Sequence, residues 1–185
     1  MFDEAKTTQI AARFIYREGG TIPHLKLMKL LYIADREALI NWGYPLTFDN
    51  YLSMKHGPVL SNTLELINDG SADPSHSAWE QVISAKANHK VSLMDSNKMP
   101  NSELLSVAEQ ALIDQISERF AQKDQWQMVK YTHQQFKEWQ DPAGTCLPIN
   151  FEDIFCADGI SQTEAKEMAN NIRLFQREQT AFANL

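Results

Sequence analysis

Apolar residues recur at three- and four-residue spacing along most of this chain, and short polar runs holding glycine or proline separate the segments. Ile10, Phe14 and Ile15 share one face of a helix predicted over residues 3–17, with Gly19-Gly20 as a left-handed stop. Pro23 reads as the first turn of a second helix, where its missing N–H costs nothing. Leu27, Leu30, Leu31, Ala34 and Ala38 carry the stripe of that helix to Gly43. Residues 50–54 read as a short strand. A third helix is expected to start at Pro58, with Gly57 letting the chain arrive from the strand, and to carry Val59, Leu60, Leu64 and Ile67 as far as Asn68-Asp69-Gly70.

Beyond the polar loop at 71–77, residues 79–84 and 90–93 flank the turn-forming Ala87-Asn88-His89 and predict a hairpin. Three later helix starts carry reciprocal capping pairs: Ser106 with Glu109, Asp124 with Gln127, and Ser161 with Glu164. Leu112, Ile116 and Phe120 continue the first of these. Trp126, Val129, His133 and Phe136 continue the second, which Pro142 and Gly144 close. Ala165, Met168, Ile172 and Phe175 mark the buried stripe of the third, which reaches toward Phe182 and ends in a frayed or partner-docked tail at 181–185. The fold class is therefore mainly α (α+β): a compact helical domain with a small antiparallel sheet or hairpin of two to three strands. Residues 1–145 form the main domain, and 146–185 a C-terminal helical extension packed on it.

Composition agrees with one folded domain, since 43% of the 185 residues are apolar and 22% charged. The formal net charge of −7 opposes binding to a phosphate backbone, which runs on clustered lysine and arginine. Lys26, Lys29 and Arg36 are the densest basic stretch; with Asp35 and Glu37 beside them they read as a solvated helix face. No basic-then-apolar leader and no apolar run of membrane length occurs. Cys146 and Cys156 fit neither a zinc site nor a disulfide framework and read as free thiols in a reducing cytoplasm.

Catalytic signatures are lacking: there is no nucleophile elbow, phosphate loop, dinucleotide fingerprint or zinc-protease helix. No two of the histidines at 24, 56, 76, 89 and 133 stand four apart, so no cofactor or metal is expected and the chain does not read as an enzyme. His56 and His133 read as histidines that bond backbone and fix turns. Asp35 and Arg36, mid-helix beside leucines, read as an ion pair that fixes helix register or serves a partner. Of Trp42, Trp79, Trp126 and Trp139, most should be core anchors and one should face a partner.

Two blocks carry a resemblance. Leu27 through Arg36 reads L-M-K-L-L-Y-I-A-D-R, and Tyr51 through Val59 reads Y-L-S-M-K-H-G-P-V. In order and spacing they resemble the paired signature of the Panacea domain, found in SocA-like antitoxins. Trp79 at a hairpin, the helix start at Ser106, and Thr132-His133 followed by Trp139 resemble later parts of that family, over roughly residues 5–145. The residues so singled out are Lys29, Tyr32, Asp35, Arg36, Lys55, His56, Gly57, Pro58, His133 and Trp139.

The resemblance implies a cytoplasmic antitoxin of a bacterial or prophage toxin-antitoxin system, which neutralises a cognate toxin by direct protein contact. One relative of that family delivers its toxin to a protease. The competing readings are an adaptor that presents a client to a protease or chaperone through the C-terminal helix, a winged-helix DNA-binding regulator, and a hydrolase or transferase assembled from Asp35, His56 and His133.

Overall fold

Helix α2 (His24–Trp42) is the axis around which the rest of the chain is laid. Its buried residues fall on every side, from Leu27, Met28, Leu30 and Leu31 to Ala38 and Leu39, so it needs cover all round. That cover comes from α1 (Glu4–Arg17), α5 (Val107–Phe120), α6 (Gln125–Gln135) and the strands β1 (Thr21–Pro23) and β3 (Gly57–Leu60). The computed structural model describes residues 2–183; the tail position 185 and its neighbour 184 lie outside them, as does any side chain at Phe182.

The described residues form eight helices and two antiparallel sheets, of two and three strands. In one sheet β1 pairs with β4 (Lys90–Ser92), Ile22 opposite Val91. In the other β2 (Tyr51–Met54) lies between β3 and β5 (Leu147–Ile149). The mainly helical α+β class with a small antiparallel component is thus what the chain adopts. Helices α1 and α5 are tied by Arg13, whose Nε and Nη2 donate to the two carboxylate oxygens of Asp114 at 2.8 and 2.7 Å. The capping boxes at Ser106 with Glu109 and Asp124 with Gln127 close as their spacing predicts. At Ser161 the hydroxyl accepts from Glu164 N–H, opening α8 (Gln162–Ala183).

Several elements differ from the pattern reading, each for an identifiable reason. Pro23 ends β1 and sits at the N-cap of α2 instead of inside its first turn. Pro58 does not start a helix: Gly57-Pro58-Val59-Leu60 is an edge strand, where a missing N–H costs no ladder bond, and α3 begins at Ser61 (Ser61–Asp69). Leu60 at its N-cap has no capping side chain, and Asp49 supplies the caps from outside, accepting from Asn62 N–H and Thr63 N–H at 2.9 Å each.

Residues 79–84 form the first arm of the predicted hairpin only at their end, where Ile83 bridges Leu93 antiparallel, Ser84 N–H donates to the Ser92 carbonyl at 2.8 Å and Met94 N–H donates to the Val82 carbonyl at 2.9 Å. Trp79 lies in a short helix α4 (Ala78–Val82), opened by the Ser77 hydroxyl. The turn itself is present, with Asn88 and His89 both at positive φ and Ala87 and Lys90 exchanging backbone hydrogen bonds at 2.9 Å. Its strand β4 pairs with β1, in a different sheet from Tyr51. Helix α6 ends at Gln135, before the Pro142 and Gly144 stop. The stripe of α8 is buried at Ala165, Ala169 and Ile172, whereas Phe175 is half exposed and stacks on Phe48. Cys146 and Cys156 are free and exposed. Beyond residue 145 the chain adds β5 to the central sheet and α7 (Phe151–Ala157), whose Ile154 and Phe155 join the core.

Candidate functional site

The polar residues of α2 are where the pattern reading and the structure part most sharply. Lys26 and Lys29 are buried, not solvated: Lys26 pairs with Glu18 at 2.7 Å, and Lys29 Nζ donates to the Pro58 carbonyl at 2.6 Å. Burial disfavours the ammonium and brings the Lys29 pKa down from 10.5 to about 7. Asp35 and Arg36 do not pair with each other, because adjacent helical positions point in different directions.

Asp35 is fully buried and faces the 46–51 segment. Its carboxylate accepts from Leu46 N–H, Thr47 N–H, the Thr47 hydroxyl and the Tyr51 hydroxyl. Burial pushes its pKa up to about 6, and the hydrogen bonds from Thr47 and Tyr51 work against that shift. At neutral pH the group is a carboxylate surrounded by donors, a connector that holds the loop after α2 against the central strand. Burial, with Asp35 adjacent, raises the Tyr51 hydroxyl well above its ordinary value.

Arg36 points the other way, to Glu138. Its Nε donates to Glu138 Oε1 at 2.7 Å, its guanidinium lies 4.7 Å over the Phe136 ring, and Asp158 stands 3.7 Å from Nη1. The Tyr32 hydroxyl donates to the same Glu138 oxygen at 3.0 Å, and burial, with Glu138 second, drives its pKa far up. Glu138 is the centre of this network and is wholly buried at its side chain. A lone glutamate in a polar stretch carries no motif, which is why it was invisible in the sequence, although its position one residue before Trp139 was a usable hint.

The β2–β3 hairpin brings the second block onto the first. Its turn, Lys55-His56, is exposed and leads into Gly57 at φ +94°. A Cβ on Gly57 would stand 2.7 Å from Thr132 Oγ1 and 3.2 Å from the Lys29 amine, so glycine is demanded by both conformation and space. Trp139 Nε1 donates to the Met54 carbonyl at 3.0 Å, and Gln140 N–H donates to the Ser53 hydroxyl at 3.2 Å.

His133 stacks flat on Trp139, ring centroids 3.8 Å apart and 10° from parallel. Among the described residues it bonds no backbone group and its Nε2 is buried without a partner, and burial together with Lys29 and His56 lowers its pKa. His56 meets Trp126 edge-on at 5.5 Å. The backbone-fixing role expected of these two histidines belongs to His24, whose ring nitrogen bonds the His89 carbonyl at 2.8 Å. Trp126 is 55% exposed and is the one tryptophan of the four that faces solvent.

Lys29, Gly57, Pro58, His56, His133 and Trp139 thus meet in one region, while Tyr32 and Arg36 lie with Glu138 and Asp35 lies with Tyr51. Asp35 does not assemble with the histidines, so the set Asp35, His56 and His133 does not form. Among the described residues no group of three or more His, Cys, Asp or Glu could hold a metal, and no helix is long and apolar enough to cross a membrane.

A hairpin and a helix are thus braced on one buried helix in an α+β module, with aromatic and basic side chains left at the surface. The family model for the antitoxin SocA-like Panacea domain matches residues 27–140, and the chain belongs to that family. That span holds both signature blocks and ends just after Trp139. No curated protein and no solved structure matches the chain.

Proposed function

We propose that this chain is an antitoxin that neutralises a cognate toxin by direct protein-protein contact. Membership of the antitoxin family is the observation that carries this reading. It is supported by the convergence of the signature residues: their buried members brace the hairpin and α6, and their exposed members form a face. The buried members Lys29, Tyr32, Asp35, Gly57 and Pro58, with the half-buried Arg36, serve as scaffold, and the exposed Lys55 and His56 with the half-buried His133 and Trp139 belong to the face a partner would meet. The acidic balance of the chain opposes nucleic acid in long-range encounter and favours a partner of basic overall charge, without fixing the sign of any local contact.

The test is growth. Expression of the product of the neighbouring gene alone should arrest cells, and co-expression of this chain should restore growth. Arrest that persists at equal expression of both proteins contradicts the reading.

A further inference from the structure

The face around Trp126 has a chemistry of its own. Trp126, Lys130 and His133 stand at i, i+4 and i+7 on α6 and share one side of that helix. The hairpin turn brings His56 edge-on to Trp126, with Lys55 beside it, and His133 is backed by the Trp139 ring. Residues 51–60 and 125–137, the two segments that build this face, contain no aspartate or glutamate, although the chain as a whole holds 24 acidic residues against 17 basic ones. Among the described residues neither Lys55 nor Lys130 has an ion-pair partner, whereas Lys6, Arg13, Arg17, Arg36, Arg119 and Arg173 are each paired. Acidic groups at the margins of the face are otherwise engaged or single: Asp124 caps α6, Glu138 is buried against Arg36, and Asp141 acts on His133.

We infer that this aromatic and basic face docks a short acidic segment of a protein partner, with an apolar side chain on Trp126 and carboxylates on Lys55 and Lys130. Resting on the antitoxin reading, it names the part of the toxin that is gripped. An exposed tryptophan held by a neighbouring ring is a rigid anchor that loses little freedom on binding, and the local cations complement carboxylates while the acidic remainder repels a long polyanion. A protein segment with a few carboxylates therefore fits where nucleic acid does not.

The test uses the full chain and short fluorescein-labelled probes: a peptide alternating glutamate and leucine, its glutamine-leucine counterpart, and an oligothymidylate. The glutamate peptide should bind most tightly, should weaken as salt rises, and should lose about tenfold in affinity on Trp126→Ala or on Lys130→Glu. Both variants should keep the wild-type melting temperature, since Trp126 and Lys130 are exposed. Equal binding of the glutamine peptide, or unchanged affinity in both variants, overturns the inference, and tighter binding of the oligothymidylate does so in favour of nucleic acid. Growth separates this inference from the reading it rests on: if wild type and the Trp126→Ala, Lys130→Glu double variant restore growth equally, the docking face falls and the antitoxin reading stands. If wild type fails to restore growth, the antitoxin reading falls, while the peptide titration still decides the face.

Discussion

At the scale of single residues, the molecule is organised by polar groups placed inside a leucine-rich helix. Asp35 is the clearest case, since every partner it has is a donor. Asp35→Ala leaves those donors buried without an acceptor and is expected to cost about 3 to 5 kcal/mol, whereas Asp35→Asn keeps one acceptor and should cost about 1 to 3 kcal/mol. Urea denaturation of both variants checks the order. Lys29 makes a different prediction. Its folded pKa of about 7 lies below the value of 10.5 it has when exposed, so between those pH values the unfolded chain holds a proton that the folded chain has released. Stability contributed at this site therefore rises with pH across that window, and below it the cost of burying an ammonium is fully present. The stability of wild type relative to Lys29→Met should climb toward about 1.4 kcal/mol per pH unit above neutrality. A difference that stays flat from neutral to alkaline pH would contradict a buried, titrating Lys29.

The lysines also mark where sequence reasoning stopped. Charge on a helix normally reads as a solvated face, and nothing local distinguishes Lys29, whose amine finds a strand carbonyl about thirty positions away, from a lysine in water. Glu138 and Asp49 were equally hidden, for the same reason: each acts on groups distant in sequence.

At the scale of elements, what could be read was whatever repeats or caps locally. The helices with reciprocal capping pairs at Ser106 and Asp124, and the glycine stop at Gly43, have signatures within four residues and were legible. Strands of three residues, β1 and β5, are too short to show a period, and the small helix α7 has no stripe. Gly57-Pro58 suits a helix start and an edge strand equally, and only pairing with β2 decides between them. That pairing gives the hairpin a strict requirement. Gly57→Ala forces a Cβ into Thr132 at a positive φ and is expected to destabilise by about 2 to 4 kcal/mol. Hydrogen exchange should show the loss first at residues 51–60. Protection there equal to wild type would mean that the hairpin does not lean on α6. Trp139→Phe keeps the stack on His133 but removes the bond to Met54, for a smaller loss of about 1 kcal/mol, read by the same denaturation.

At the scale of the whole molecule, the two signature blocks and the His133 to Trp139 stretch form one assembly. Lys29 touches the hairpin, the hairpin touches Trp139, and Arg36 and Tyr32 hold Glu138 next to it. Most of this support is buried, and what reaches the surface is the face carrying Lys55, His56, Trp126 and Lys130. The resemblance was legible in the order of the blocks; their convergence was not, because it depends on a hairpin packing across α2 and α6. A single substitution in the buried support should therefore lower stability and partner binding together, while one at the exposed face should lower binding alone. Melting temperature and affinity measured on the same variants separate the two groups.

Holding a toxin is the activity proposed for this chain. It is tested most directly by tagging the chain in its native cells, purifying it at moderate salt, and identifying and quantifying what comes with it. The expected result is a stoichiometric partner encoded beside it that arrests growth when expressed alone. Protease subunits in place of such a partner, or no stoichiometric partner at all, would contradict it.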